Sequence, residues 1–251
     1  MNAFPRSAPV TAPEPGETAP LAPRLARFSL PLILAAGLLL VLGTVLALTW
    51  VPPLDEGFVA PVAQRIFYFH LGAALASYVA VAVTAAASLL YLRKGDMLYD
   101  ALARDSAGLA LMFAAMVLIE GSLWATAEWG TAWRWEDARL DSYLILTLVF
   151  VGYLALRRAV DDPGRRARVA ASYALLGSLL VPLSFASVYL WQSLHPRVIV
   201  PGGQGISAAG GMTVGIFVVA FTLLYVGLLL RRLDLSVLEE RVGRLQRSVE
   251  A

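Results

Sequence analysis

The sequence predicts an all-α polytopic membrane protein, with six transmembrane helices and both termini in the cytoplasm. Three observations carry this. First, 59% of the 251 residues are hydrophobic and only 15% are charged, against about 25% charged residues in a soluble domain. Second, the apolar residues fall into six runs, each close to the roughly 20 residues that cross about 30 Å of hydrocarbon as a helix. Third, Lys and Arg concentrate on alternate loops.

Residues 1–27 contain six prolines among alanine, threonine and glutamate and read as a disordered tail. The spans are expected at Phe28–Val51, Phe67–Leu92, Ser106–Ala127, Ser142–Val160, Val169–Leu194 and Ile206–Leu230. The first is too long for a cleaved signal peptide and follows a 27-residue tail, so it is expected to be retained. The fourth has a short uncharged part, Ser142–Leu156, so Arg157 and Arg158 are expected to snorkel to the interface. Residues 28–232 thus form one membrane domain. Beyond it, residues 233–251 place Leu235, Leu238, Val242, Leu245 and Val249 at 3-4-3-4 spacing, the apolar face of an amphipathic helix. That face suits either the cytoplasmic membrane surface or a partner subunit.

Orientation follows from the basic residues. Arg6, Arg24 and Arg27 lie in the tail, and Arg93, Lys94 and Arg104 in the second loop. Arg157, Arg158, Arg165, Arg166 and Arg168 lie around the fourth, and five more arginines follow the last span. The other three loops hold only Arg65, Arg134, Arg139 and Arg197. The positive-inside rule therefore puts both termini in the cytoplasm and the loops after spans one, three and five outside.

The chain has no cysteine, which excludes disulfides, thiolate metal sites, iron–sulfur clusters and covalent heme attachment through C-x-x-C-H. No G-x-x-x-x-G-K-[ST] motif occurs, so P-loop nucleotide hydrolysis is not expected of this chain, and no nucleic-acid partner is expected. Its only two histidines are His70, at the outer start of span two, and His195, at the outer end of span five. Two neutral imidazoles at one depth can ligate one heme iron axially. Two histidines alone do not complete a structural zinc site. Ala73 and Ala74 follow His70 by one helical turn and would leave room for a flat macrocycle; on a continuous helix Trp191 would share the face of His195.

Three of the six tryptophans, Trp129, Trp133 and Trp135, fall within the charged stretch "EWGTAWRWEDARLDS" at 128–142. Their spacing suggests a surface-lying amphipathic element whose aromatic face can hold a flat hydrophobic ring. Arg134 and Arg139 could pair with carboxylates on that ring. Glu120, inside span three, is a functional candidate as an intramembrane carboxylate, with a structural hydrogen-bonding role placed slightly ahead of a catalytic one. The "GMTVG" of 211–215 reads as a helix-packing motif.

"WGTAWRWEDARLDS", with "YFH" before it and "LHP" after it, resembles the tryptophan-rich signature W-G-x-x-W-x-W-D-x-R-L-T-S of heme-handling membrane proteins. With six spans, the chain resembles the family of cytochrome c maturation protein C, also called heme exporter protein C. The resemblance covers about Arg24 to Arg232. It implies a non-covalently bound heme b presented on the outer face of the bacterial cytoplasmic (inner) membrane. It implies no enzyme activity in the chain itself; ABC-type ATPase and permease subunits, a small membrane subunit and an outer-side heme chaperone would be its partners. On this resemblance His70 and His195 are the axial ligands. Trp129, Gly130, Trp133, Trp135, Asp137 and Arg139 form the heme-contacting segment, with Trp191 and Arg134 as weaker candidates. The departures from the signature are Ala132 for a frequent tryptophan, an extra Glu136, Asp141 for threonine, Gly72 for proline and Pro196 for glutamine. A b-type cytochrome subunit, a heme-free permease subunit and a larger, more histidine-rich cytochrome c synthetase are the rival readings.

Overall fold

The computed structural model describes residues 25–53, 58–191, 193–195 and 207–250. Nearly all of the expected tail therefore lies outside the described residues, as do Pro196 and Arg197. Among the described residues the fold is all-helical: α1 (Ser29–Thr49), a 3-10 turn (Ala63–Arg65), α2 (Ile66–Lys94), α3 (Met97–Trp129), α4 (Ala138–Ala159), α5 (Pro163–Ser178), α6 (Leu180–Leu190) and α7 (Ala208–Glu250). Among the described residues six segments are long and apolar enough to cross a membrane, with α5 and α6 together making the fifth.

The helix ends follow local chemistry. Gly95 and Gly130 end α2 and α3 with φ of 72° and 70°, the left-handed conformation that glycine adopts without a Cβ penalty. Asp96, Asp137 and Asp162 cap α3, α4 and α5 with side-chain acceptors, and Pro163 follows Asp162 at the first helical position; these residues suit those places.

α2 is the central helix and packs on α3, α5 and α7, while α1 lies against α7. The α2–α3 seam is built from small buried residues, among them Ala73, Ala76 and Ala80 opposite Ala107, Ala110 and Ala114. Small residues let backbones approach where the lipid offers no hydrophobic drive. Ser106 exploits that approach: its hydroxyl donates to the Ala80 carbonyl at 2.8 Å and meets the Tyr225 hydroxyl at 2.8 Å. On the other side of α2, Phe221 packs edge-on against Phe69 with ring centroids 4.8 Å apart. A Cβ on Gly72 would come within 2.7 Å of Phe221.

Four expectations change. The fifth span is broken: α5 ends at Ser178 and α6 begins at Leu180. Pro182 has no N–H to give the Ser178 carbonyl and its ring crowds that carbonyl, which breaks the helix there. The span also stops at Leu190, with Trp191 extended at φ −128° and ψ 163°, so Trp191 and His195 do not share a helical face. Arg157 does not snorkel. It is buried and forms a two-pronged pair with Asp100, at 2.6 and 2.7 Å, with the Tyr153 hydroxyl alongside. Finally, the C-terminal stretch is not a separate helix. It continues span six within the 43-residue α7, about 65 Å of helix, or twice the hydrocarbon thickness. Leu235, Leu238 and Val242 are exposed on it; the side chains of Leu245 and Val249 lie outside the described ones.

Candidate functional site

The antiparallel run of α2, α3 and α4 brings the start of α2, the end of α3 and the start of α4 to one end of the bundle. The end of α6 and the strap 193–195 join them there. Between these elements lies a crevice with about 1370 Å³ of empty space, open to the surroundings on one side. One face of α2 supplies Phe67, His70, Leu71, Ala74 and Tyr78 to its wall, at the spacing of a single helical stripe. α3 supplies Gly121, Trp124 and Trp129, and the strap supplies His195.

The two imidazole rings have centroids 6.4 Å apart and planes inclined by 43°. A ring nitrogen lies about 2 Å from a ligated first-row metal and about 1.1 Å from its own centroid, so trans imidazoles on one metal have centroids roughly 6.3 Å apart. Rings sharing an axis can stand at any interplanar angle, so 43° is admissible. The Nδ1 atoms of His70 and His195 are both buried without a hydrogen-bond partner among the described residues. Burial first, then the charge of Arg139 and the neighbouring His70, pushes the His195 pKa down to about 3 against an upward pull from Asp137. His195 is therefore the neutral imidazole that metal ligation requires.

The tryptophan segment is a tight loop, not a surface-lying amphipathic element. Trp129 is the last residue of α3, Gly130 caps it, and Asp137 starts α4. A turn between closes with the Asp137 N–H donating to the Arg134 carbonyl at 3.2 Å. The extra Glu136 sits exposed in that turn. Trp129, Ala132, Trp133 and Arg139 line the crevice. Trp133 turns inward with its indole N–H buried and unpartnered among the described residues. Trp135 is 71% exposed. Gly130, Arg134, Trp135, Asp137 and Trp191 do not line the crevice. Arg139 donates to the Ser184 carbonyl at 2.7 Å and lies over the Phe185 ring, tying α4 to α6 at the crevice wall.

Asp137 works behind the wall. It is 3% exposed and caps α4 by accepting from the Arg139 and Leu140 N–H groups. It also accepts from the Ser193 hydroxyl at 2.8 Å and the Leu194 N–H at 2.8 Å. The Ser193 oxygen in turn accepts the His195 N–H at 3.0 Å. One carboxylate thus fastens the strap that carries His195 to the loop that carries the tryptophans.

Sequence reasoning missed a second fastening. Glu128 accepts from the Val59 and Ala60 N–H groups, each at 2.9 Å, and from the Gln64 amide at 3.0 Å. Gln64 in turn accepts the Trp124 indole N–H at 3.0 Å. Trp124 meets Trp129 edge-on at 4.9 Å and His195 at 6.4 Å. It lines the crevice. Its spacing of five from Trp129 places both on one end of α3, which was the available signal. Tyr78 and Tyr143 also line the crevice and are held by Ser184 and Ser77 at 3.1 and 2.8 Å.

The model of the family described as heme exporter protein C matches residues 14–248. The chain belongs to the heme exporter protein C family. It is 39% identical over 184 residues to a heme exporter protein C of Bradyrhizobium diazoefficiens, covering 72% of this chain and 70% of that protein. It is 30% identical over 205 residues to one of Paracoccus denitrificans, covering 80% and 85%. The similarity to the Escherichia coli heme exporter protein C is 37% over 134 residues, about half of each chain (52% and 53%). The family match spans every helix that builds the crevice.

Proposed function

We propose that this heme exporter protein C family member binds heme b non-covalently in the crevice, with His70 and His195 as the axial ligands. It would hold the heme at the outer face of the cytoplasmic membrane for transfer to a heme chaperone. The observation that carries this reading is the 6.4 Å approach of the two imidazoles across the crevice, the separation that trans ligation of one metal needs. The donor set agrees. No group of three or more metal-ligating side chains occurs among the described residues, so a bare ion would lack ligands that a porphyrin brings with it. Bound heme would supply a flat macrocycle and an iron with two axial positions. The protein would supply the rest: Trp129 and Trp133 as the aromatic wall, Leu71 and Ala74 as the floor along α2, and Arg139 as the cation for a propionate.

The two ligands stand on unlike supports. His70 is on a continuous helix, whereas His195 is on a non-helical strap held by Asp137 and Ser193. A site that must both keep and release its cargo is served by one fixed and one detachable ligand. ATP hydrolysis is assigned to ABC-type partner subunits, with a small membrane subunit alongside, and no enzymatic step to this chain. The positive-inside orientation puts the crevice outside.

The test is a visible titration of the purified protein with hemin, beside His70→Ala and His195→Ala. A Soret band of bis-imidazole character in the wild type, weakened or shifted in each variant, is expected. A wild type that stays colourless after hemin addition would overturn the proposal, and rapid reversible electron exchange with quinol would favour a cytochrome.

A further inference from the structure

Glu120 does not line the crevice, yet its carboxylate approaches a residue that does. It lies in α3, nine residues before Trp129 and so about 14 Å from that helix end. Its Oε2 is buried without a hydrogen-bond partner among the described residues, and the same holds for the Nδ1 of His70. These two orphaned atoms stand 3.9 Å apart. The imidazole is also lodged against the same turn of α3, because a Cβ on Gly121 would lie only 3.4 Å from its Cε1. The ring therefore has little freedom to turn away, and a rotation of the longer Glu120 side chain by about 1 Å brings the pair to hydrogen-bond distance.

A lone carboxylate at this depth is costly unless it is paired. A metal-bound histidine nearly always gives its second ring N–H to a carboxylate, carbonyl or water. That bond fixes the tautomer and makes the ligating nitrogen a stronger donor. Resting on the heme reading of the crevice, we propose that Glu120 is the positioning residue for His70. Its carboxylate accepts the Nδ1–H of His70, which leaves the Nε2 lone pair for the heme iron. Among the described residues His195 has no such partner, and the nearby Asp137 is engaged by Ser193 and Leu194. Glu120 is then what makes His70 the firm ligand of the pair.

The test uses the full chain in lipid nanodiscs, titrated with hemin as wild type, Glu120→Gln and Glu120→Leu. Leu should raise the hemin Kd about 10- to 100-fold, the usual cost of losing such a partner. Gln, whose amide oxygen still accepts, should recover part of that loss. Both should raise the ferric/ferrous midpoint potential, because a less electron-rich imidazole stabilises ferric iron less. In the His70→Ala background Glu120→Leu should change nothing further, whereas in the His195→Ala background its full effect should persist. Unchanged Kd and potential in both variants would overturn the assignment, as would an equal loss in the His70→Ala background, which marks a merely structural role. A wild type that binds hemin with two imidazoles but ignores Glu120 sinks this inference alone. A wild type that binds none sinks the heme reading and this inference together.

Discussion

Asp137→Ala removes one side chain and loosens both halves of the site. The carboxylate accepts from two backbone N–H groups at the start of α4 and from Ser193 and Leu194 on the strap. Loss of the cap costs about 1 kcal/mol. Each strap bond to a charged acceptor is worth about 1.5–3 kcal/mol. The α4 helix buries one face from Ser142 to Arg157 and absorbs the cap loss without unfolding, but the strap has few other fastenings among the described residues. If roughly 2–3 kcal/mol of strap restraint disappears, and the ligand-competent fraction falls with it, the hemin Kd rises about 30- to 160-fold. Ser193→Ala removes one of these bonds and keeps the Leu194 contact, so it should cost about 1.5 kcal/mol, some tenfold. Hemin titration by Soret absorbance on purified protein reads both. An Asp137→Ala Kd within twofold of wild type, with His195 still ligating, would refute the fastening.

Trp133→Ala and Trp129→Ala should each weaken hemin binding by about 1–2 kcal/mol, roughly 5- to 30-fold. Trp135→Ala should leave the same titration nearly unchanged, because that ring is 71% exposed and outside the crevice. Gly72→Ala drives a methyl to 2.7 Å from Phe221 and 3.0 Å from the Phe217 carbonyl. It should cost about 1–3 kcal/mol, seen as a lower Tm in detergent and a disturbed α2 at the turn that carries His70. Arg157→Met strands the buried Asp100 and should destabilise by about 3–5 kcal/mol, while Arg157→Met with Asp100→Leu should recover most of it in the same melts.

The spans were legible because hydrocarbon imposes a length and a composition that the sequence must display. The meeting of His70 and His195 was legible because each sits at the same end of a span, and helix direction alternates. Side-chain direction in the tryptophan loop was not. Gly130 and the turn at Arg134–Asp137 decide that Trp133 points inward and Trp135 outward, and the extra Glu136 is taken up at the tip of that turn. Asp137 entered the heme-contacting segment through the family resemblance; its capping geometry and its contact with a strap 56 residues away are products of tertiary packing. Trp191 was placed on a helix that Pro182 had already broken and that stops one residue earlier. Arg157 looked like a snorkelling residue because its partner, Asp100, is 57 positions distant, and charge pairing at that range leaves no local pattern.

The central claim is that His70 and His195 take the two axial positions of one heme. Low-temperature electron paramagnetic resonance of the ferric, hemin-loaded protein tests it most directly. The wild type should give a low-spin bis-imidazole signal, and His70→Ala and His195→Ala should each convert it to high spin. A high-spin wild type, or a low-spin signal that survives both substitutions, would contradict the account.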